Sequence, residues 1–294
     1  MDKVLGDKKA IAIFVIPGFL LFFFVILLPI GQSTYFSLLK WDGITEPIFI
    51  GLRNYVMMFS EDSKLFASSI GNSLTLAALS VFLQLPLALL LALILANGIR
   101  GEKTYRTIYF IPVIISTVII GQLWMKIYHP NYGLLNVFLD QVGLGSWKRE
   151  WLGKKETALA AAFVPMIWQY VGYHLLLFYT AAKSIPTEMK EAARVDGAGG
   201  ITIALRIVIP QIMPMIKTCV IFAVIGSLKS FDLIYVLTKG GPMHATEVPS
   251  TLMYNNIFVK YSFGSGSSMA IFIILECLVL TVLIQKAFPK EAVV

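Results

Sequence analysis

The sequence predicts an all-α integral membrane protein, with six transmembrane helices and one short polar helix on the inner face. Three observations lead there. Of 294 residues, 57% are hydrophobic and only 14% are charged, where a soluble domain carries about 25% charged residues. The mean hydropathy is +0.77. Apolar runs of roughly 20 residues recur along the chain, and about 20 helical residues at 1.5 Å each span a hydrocarbon layer about 30 Å thick. The runs are continuously apolar and lack the period-two alternation of a barrel strand, so helices are the spans that keep every backbone group bonded in lipid.

Taken in order, the spans are expected at 11–30, 72–97, 107–128, 157–182, 207–228 and 267–287, all within a single membrane domain covering 1–294. No small-residue cleavage site follows the first run, so it reads as a retained span and not a removed signal peptide. Pro86, Pro112 and Pro165 should kink their helices and offer hinges. The stretch from Tyr132 to Leu144 has helix-period apolar residues and should lie along the outer surface.

Orientation follows from lysine and arginine. With both termini in the cytoplasm, the inner segments carry these residues at about twice the density of the outer loops. The net charge of +7 is thereby explained by topology, without nucleic acid as a partner. Cys219 and Cys277 both fall in apolar runs and read as small buried residues, with no disulfide or metal site implied.

The inner segment "SIPTEMKEAARVDGAGG", 184–200, interrupts two apolar runs. Pro186 suits a first helical turn, Glu188 and Glu191 lie where the helix dipole favours acids, and Gly197 can end the helix. A helix over about 186–197 results, too short to be stable alone in water. Met189, Ala192 and Ala193 share one face, while Glu188, Glu191 and Arg194 share another. Small residues permit close approach by a partner's backbone; packing against the chain's own bundle is the plainer alternative.

Polar groups inside spans are costly and usually face a cavity or another helix. Gln84, Gln122, Gln169 and Tyr173, with Trp168 adjacent, are the candidates for lining a solute path. Amides match hydroxyl groups and aromatic faces match apolar C–H surfaces. Bridging between helices is the equal alternative for each amide. Glu276 and Lys217 could pair with one another, or Glu276 could carry a proton. No G-x-x-x-x-G-K-[ST] phosphate cradle, H-E-x-x-H helix or G-x-S-x-G elbow occurs, and His129, His174 and His244 are scattered, so catalysis within this chain is not expected.

Glu191-Ala192-Ala193, then Gly197, then Ile207, Ile209 and Pro210 resemble the EAA motif of permease subunits of binding-protein-dependent ABC importers. The spacing matches throughout, with Ile209 standing where leucine is usual. "FIGLRNYVMMF", "GNSLTLAALS", "YRTIYFIPVIISTVIIGQLW", "YGLLN" and "FDLIYVLTKGGP" extend the resemblance over nearly the whole chain, toward the carbohydrate-type, maltose F-type subunits.

The resemblance implies that the polar insert is a coupling helix docking on a cytoplasmic ATPase. Glu191 would pair with a basic residue there, Ala192 and Ala193 would allow close packing, Gly197 would permit the turn, and Met189 and Arg194 would join the contact. It implies a second homologous permease, two ATPase subunits that bind ATP and Mg, an extracytoplasmic sugar-binding protein, and a bacterial cytoplasmic membrane location. This chain would hold no cofactor. An ABC permease for another polar solute such as glycerol phosphate, and an ion-coupled secondary transporter, are the alternative functions.

Overall fold

The computed structural model describes residues 8–60 and 64–288. Helices α1 (Lys8–Phe22) and α2 (Leu28–Ser37) lead to a two-stranded antiparallel hairpin, β1 (Leu39–Lys40) and β2 (Ile48–Phe49), and to α3 (Arg53–Met58). Then come α4 (Lys64–Leu79), α5 (Leu85–Ala96), α6 (Glu102–Ile114), α7 (Thr117–Ile127), α8 (Leu134–Gln141) and the long α9 (Lys155–Lys183). The remainder is α10 (Thr187–Val195), α11 (Gly200–Ile203), α12 (Ile209–Gln211), α13 (Met213–Leu228), α14 (Asp232–Thr238), α15 (Pro249–Tyr254) and α16 (Phe263–Ala287). Among the described residues, 5 helical stretches are long and apolar enough to cross a membrane, or 6 if the bent pair α6–α7 is one span. The all-α membrane architecture is therefore as expected.

Prolines shape the spans in a way the sequence only hinted at. A π-helical turn ends two residues before each of Pro29, Pro86 and Pro210. In each case the residue before the proline bonds five residues back: Leu28 to Phe23 O, Leu85 to Ser80 O, and Ile209 to Ala204 O. Proline lacks the N–H for the carbonyl four residues back, and its ring crowds that carbonyl. The wider turn moves the carbonyl aside without breaking the helix.

Two spans differ from expectation. The 107–128 run is not one kinked helix: α6 and α7 turn by 96°. Ile115 and Ser116 between them are extended, with ψ of 139° and 131°. Pro112 removes a bond from the last turn of α6, and the β-branched and hydroxyl residues that follow, Ile114 to Val118, favour non-helical backbone. The 207–228 run is also redrawn. Gly200 to Gln211 is a separate short apolar helix, and the span itself runs Met213–Thr238. The break at Ile212 falls between Pro210 and Pro214, and Phe231 to Thr238, expected in an outer loop, is largely helical as α14.

The chain forms two compact units. In the first, Met1–Lys64 with Leu252–Ile274, the Asn54 amide donates to Ser37 O at 2.7 Å and Leu39 O at 2.8 Å, fixing the hairpin to α3. The Phe263 N–H donates to Trp41 O at 3.0 Å, which ties the start of α16 to the hairpin. Every residue from Ile13 to Gln32 is exposed, so the first span offers its whole circumference to its surroundings.

In the second unit, Leu65–Thr251 with Leu275–Val294, α9 is the central strut and packs against α5, α6, α13 and α14. One apolar cluster joins Leu76, Ile120, Phe163 and Ile234; another joins Leu95, Leu175, Phe178 and Cys219. The approach of α6 to α9 requires glycine: a Cβ on Gly172 would lie 1.8 Å from Tyr109 O. Leu134–Gln141 is helical, as its apolar period predicted.

Candidate functional site

The polar insert folds as α10, with Pro186 at its N-terminal cap and Glu188 in its first turn. Its end is closed by paired bonds, Ala198 N–H to Ala193 O at 2.9 Å and Gly197 N–H to Arg194 O at 3.0 Å. That pattern requires a left-handed residue after the cap, and Gly197 supplies it at φ +82°. Ala193 and Ala198 then pack with Ile185, Ile203, Val208 and Ile212.

The face that the sequence assigned to Met189, Ala192 and Ala193 is divided by the fold. Ala193 turns toward the chain's own bundle, and Lys190 beside it donates to Ala182 O at 2.9 Å. Burial, then the charges of Lys183 and Arg194, hold the Lys190 ammonium below the usual lysine range. Glu188, Glu191, Ala192 and Arg194 remain exposed, and Met189 receives a bond from Gln211 Nε2 at 2.7 Å. Val195, which sequence reasoning passed over, is 87% exposed. Its position three and four residues beyond Ala192 and Glu191 places it on the same outward face.

A cavity of about 520 Å³ lies among α4, α6, α9 and α13. Gln84, Gln169 and Tyr173 line it, together with Thr117, Tyr170, His174, Ser80 and Ser227. Gln84 Nε2 meets His174 Nδ1 at 2.9 Å, and Gln169 Nε2 donates to Thr117 Oγ1 at 3.3 Å. Each amide thus bridges two helices and also lies on the cavity wall. Gln169 is 2% exposed, yet its Oε1 has no hydrogen-bond partner among the described residues; nor has Nε2 of the buried His174. A buried amide oxygen without a donor is costly unless something else supplies one.

Gln122 and Trp168 stand elsewhere. Gln122 is exposed on α7, and neither residue lines the cavity. Trp168 packs edge-on against Trp124 at 5.9 Å. Thr117 and His174 were not in the sequence-based set. Lys229 and Asp232, one charge of each sign, also lie on the cavity wall and were placed by sequence in an outer loop. Among the described residues, no cluster of His, Cys, Asp and Glu could hold a metal ion.

Residues 84–292 match the profile described as "Binding-protein-dependent transport system inner membrane component". The chain belongs to that family. This inner membrane component is a transport subunit rather than an enzyme. It is 35% identical over 279 residues, covering 94% of both chains, to the Bacillus subtilis (strain 168) protein named "Probable ABC transporter permease protein YurN". It is 32% identical to the diacetylchitobiose uptake system permease protein NgcF of Streptomyces coelicolor, over 90% of this chain and 78% of that one. Among solved structures, it is similar to a bacterial ABC transporter involved in import of the acidic polysaccharide alginate. There the TM-score is 0.82 and the identity 25%, over 95% of this chain and 94% of that one. A component of this family works with a binding protein in an ABC importer, which sets aside a secondary transporter acting alone.

Proposed function

We propose that the chain is one translocation domain of a saccharide importer in a bacterial cytoplasmic membrane, with both termini on the inner side. It pairs with a second homologous permease, two cytoplasmic ATPase subunits and an extracytoplasmic sugar-binding protein. ATP and Mg are held by the ATPase subunits. The outward face of α10, with Glu191, Ala192, Arg194 and Val195, meets the ATPase; Gly197 and Ala193 hold that helix in place, and Met189 borders the contact. Closure of the ATPase pair on ATP draws α10 with it, and the spans rock to expose the cavity alternately to each side.

The observation that carries the saccharide reading is the cavity wall. Gln84, Gln169 and Tyr173 offer amide and phenol groups to hydroxyls. Lys229 and Asp232 contribute one charge of each sign. That balance favours a neutral saccharide over a phosphorylated solute or a uronate, which would call for unopposed cations. Diacetylchitobiose, named for one relative, is a neutral saccharide.

The test is ATP-dependent uptake by the complete complex in proteoliposomes, with its binding protein, across neutral oligosaccharides, sugar phosphates and uronates. Accumulation of a neutral saccharide is expected, and accumulation of only phosphorylated or acidic solutes overturns the cargo. In the same assay Glu191→Lys should reduce uptake to background while the protein still inserts into the membrane. Normal uptake by that variant would remove the coupling role of α10.

A further inference from the structure

At the inner ends of α6 and α9 a polar cluster serves neither the cavity nor the outward face of α10. The Tyr179 hydroxyl donates to Glu102 Oε1, and Lys183 Nζ lies 3.4 Å from Glu102 Oε2. The Arg106 guanidinium sits 4.6 Å above the Tyr179 ring. Arg106 Nε is buried without an acceptor among the described residues. The carboxylate therefore has two sets of partners within reach. One set, Tyr179 and Lys183, is on α9 and is engaged. The other, Arg106, is four residues along α6, the spacing at which Glu and Arg side chains meet on one helix face, and its Nε–H is unspent.

The place of the cluster gives it consequence. Lys183 is the last residue of α9, and Lys190 of α10 bonds to Ala182 O, so the cluster grips α9 where α10 departs from it. Farther along, the contact of Gly172 with Tyr109 leaves no room for the two helices to approach more closely. Beyond that contact α6 ends at the 96° bend, and the first residue of α7, Thr117, bonds to Gln169 on the cavity wall.

We infer that Glu102 is a two-position latch: bonded to Tyr179 and Lys183 it fastens α6 to the root of α10, and on release it pairs with Arg106, freeing α6 to pivot at Gly172 and move the bend beside the cavity. A carboxylate stripped of partners at the membrane boundary would make the released state inaccessible. A waiting guanidinium on the same helix keeps the two states close in energy, which a bistable element requires. The latch rests on the reading of α10 as the ATPase contact.

Three variants of the complete complex in proteoliposomes test it, with ATP hydrolysis measured with and without binding protein, alongside uptake. Tyr179→Phe removes a hydrogen bond to a charged group, a change that shifts such an equilibrium by about tenfold. Hydrolysis without binding protein should rise by about that factor, and solute moved per ATP should fall. Glu102→Gln should act in the same direction, and serves if Tyr179→Phe fails to insert. Arg106→Gln removes the second position, so binding-protein-stimulated hydrolysis and uptake should fall together with no rise in the basal rate. A cluster that only braces the fold would move all three variants the same way, with lowered thermal stability; that result, or no change in any of them, overturns the latch. Glu191→Lys in the same preparation separates the causes: if it transports normally, the α10 contact and the latch both fall. If it is inactive while the three variants share one sign, the latch alone falls.

Discussion

The first span and α9 are both long membrane helices, yet they are opposites. The stretch Ala12–Ser37 is the most apolar of the candidate spans, and none of its apolar core is buried within the chain. Lys155–Lys183 is the least apolar, and most of it is buried. In water the reverse would hold. In lipid, apolar surface gains nothing by leaving the bilayer, so helices associate through close packing of small residues and through polar contacts. The helix with alanines, Gly172, Gln169 and His174 is the core of its own unit, while the helix of phenylalanines and leucines leaves its side chains exposed. Function follows the polar groups: the cavity is built on α9, and α10 hangs from its end.

Paired substitutions can break this contrast. The largest difference should come from phenylalanine. Phe178 is 1% exposed in a packed cluster, and Phe178→Ala should cost about 3–5 kcal/mol. Phe14 is 83% exposed, and Phe14→Ala should stay within about 0.5 kcal/mol. Thermal unfolding of the complex in lipid nanodiscs compares them, and equal losses would remove the distinction between core and outer helix. Glycine gives the next effect. At Gly172 a methyl group meets backbone, so Gly172→Ala should destabilise by about 1–3 kcal/mol. Nothing lies within 4 Å of the corresponding position on Gly18, and Gly18→Ala should be neutral or slightly stabilising. The same melting measurement reports both.

The smallest effect sharpens the site. Gln169→Ala should raise the saccharide concentration for half-maximal uptake by roughly 5- to 30-fold, the equivalent of one or two lost hydrogen bonds. Gln122→Ala, on an exposed face outside the cavity, should leave it unchanged. If Gln122→Ala matched Gln169→Ala in transport kinetics, the cavity would not be the path.

Much of this was legible in the chain itself. Continuous apolar runs determined the membrane class, because lipid admits little else than a helix of that length; they did not reveal that the 107–128 and 207–228 runs are broken. The charge order of 186–197 determined α10 and its glycine stop at Gly197, because capping chemistry is local. Helical spacing also placed Gln169 and Tyr173 on one face, as the cavity wall bears out.

What only the tertiary structure decided depends on neighbours distant in sequence. Ala192 and Ala193 are equally small, and the packing of Ile203, Val208 and Ile212 alone turned one inward and left the other exposed. Gln84, Gln122 and Gln169 are the same residue type in similar surroundings, and only the placement of His174 and Thr117 drew two of them to a common cavity. The 96° bend required Pro112 and the extended pair Ile115–Ser116 to act together, beyond what a helical period can report. Periodicity fixes which way a side chain leaves its own helix; what it meets there is a property of the other helices.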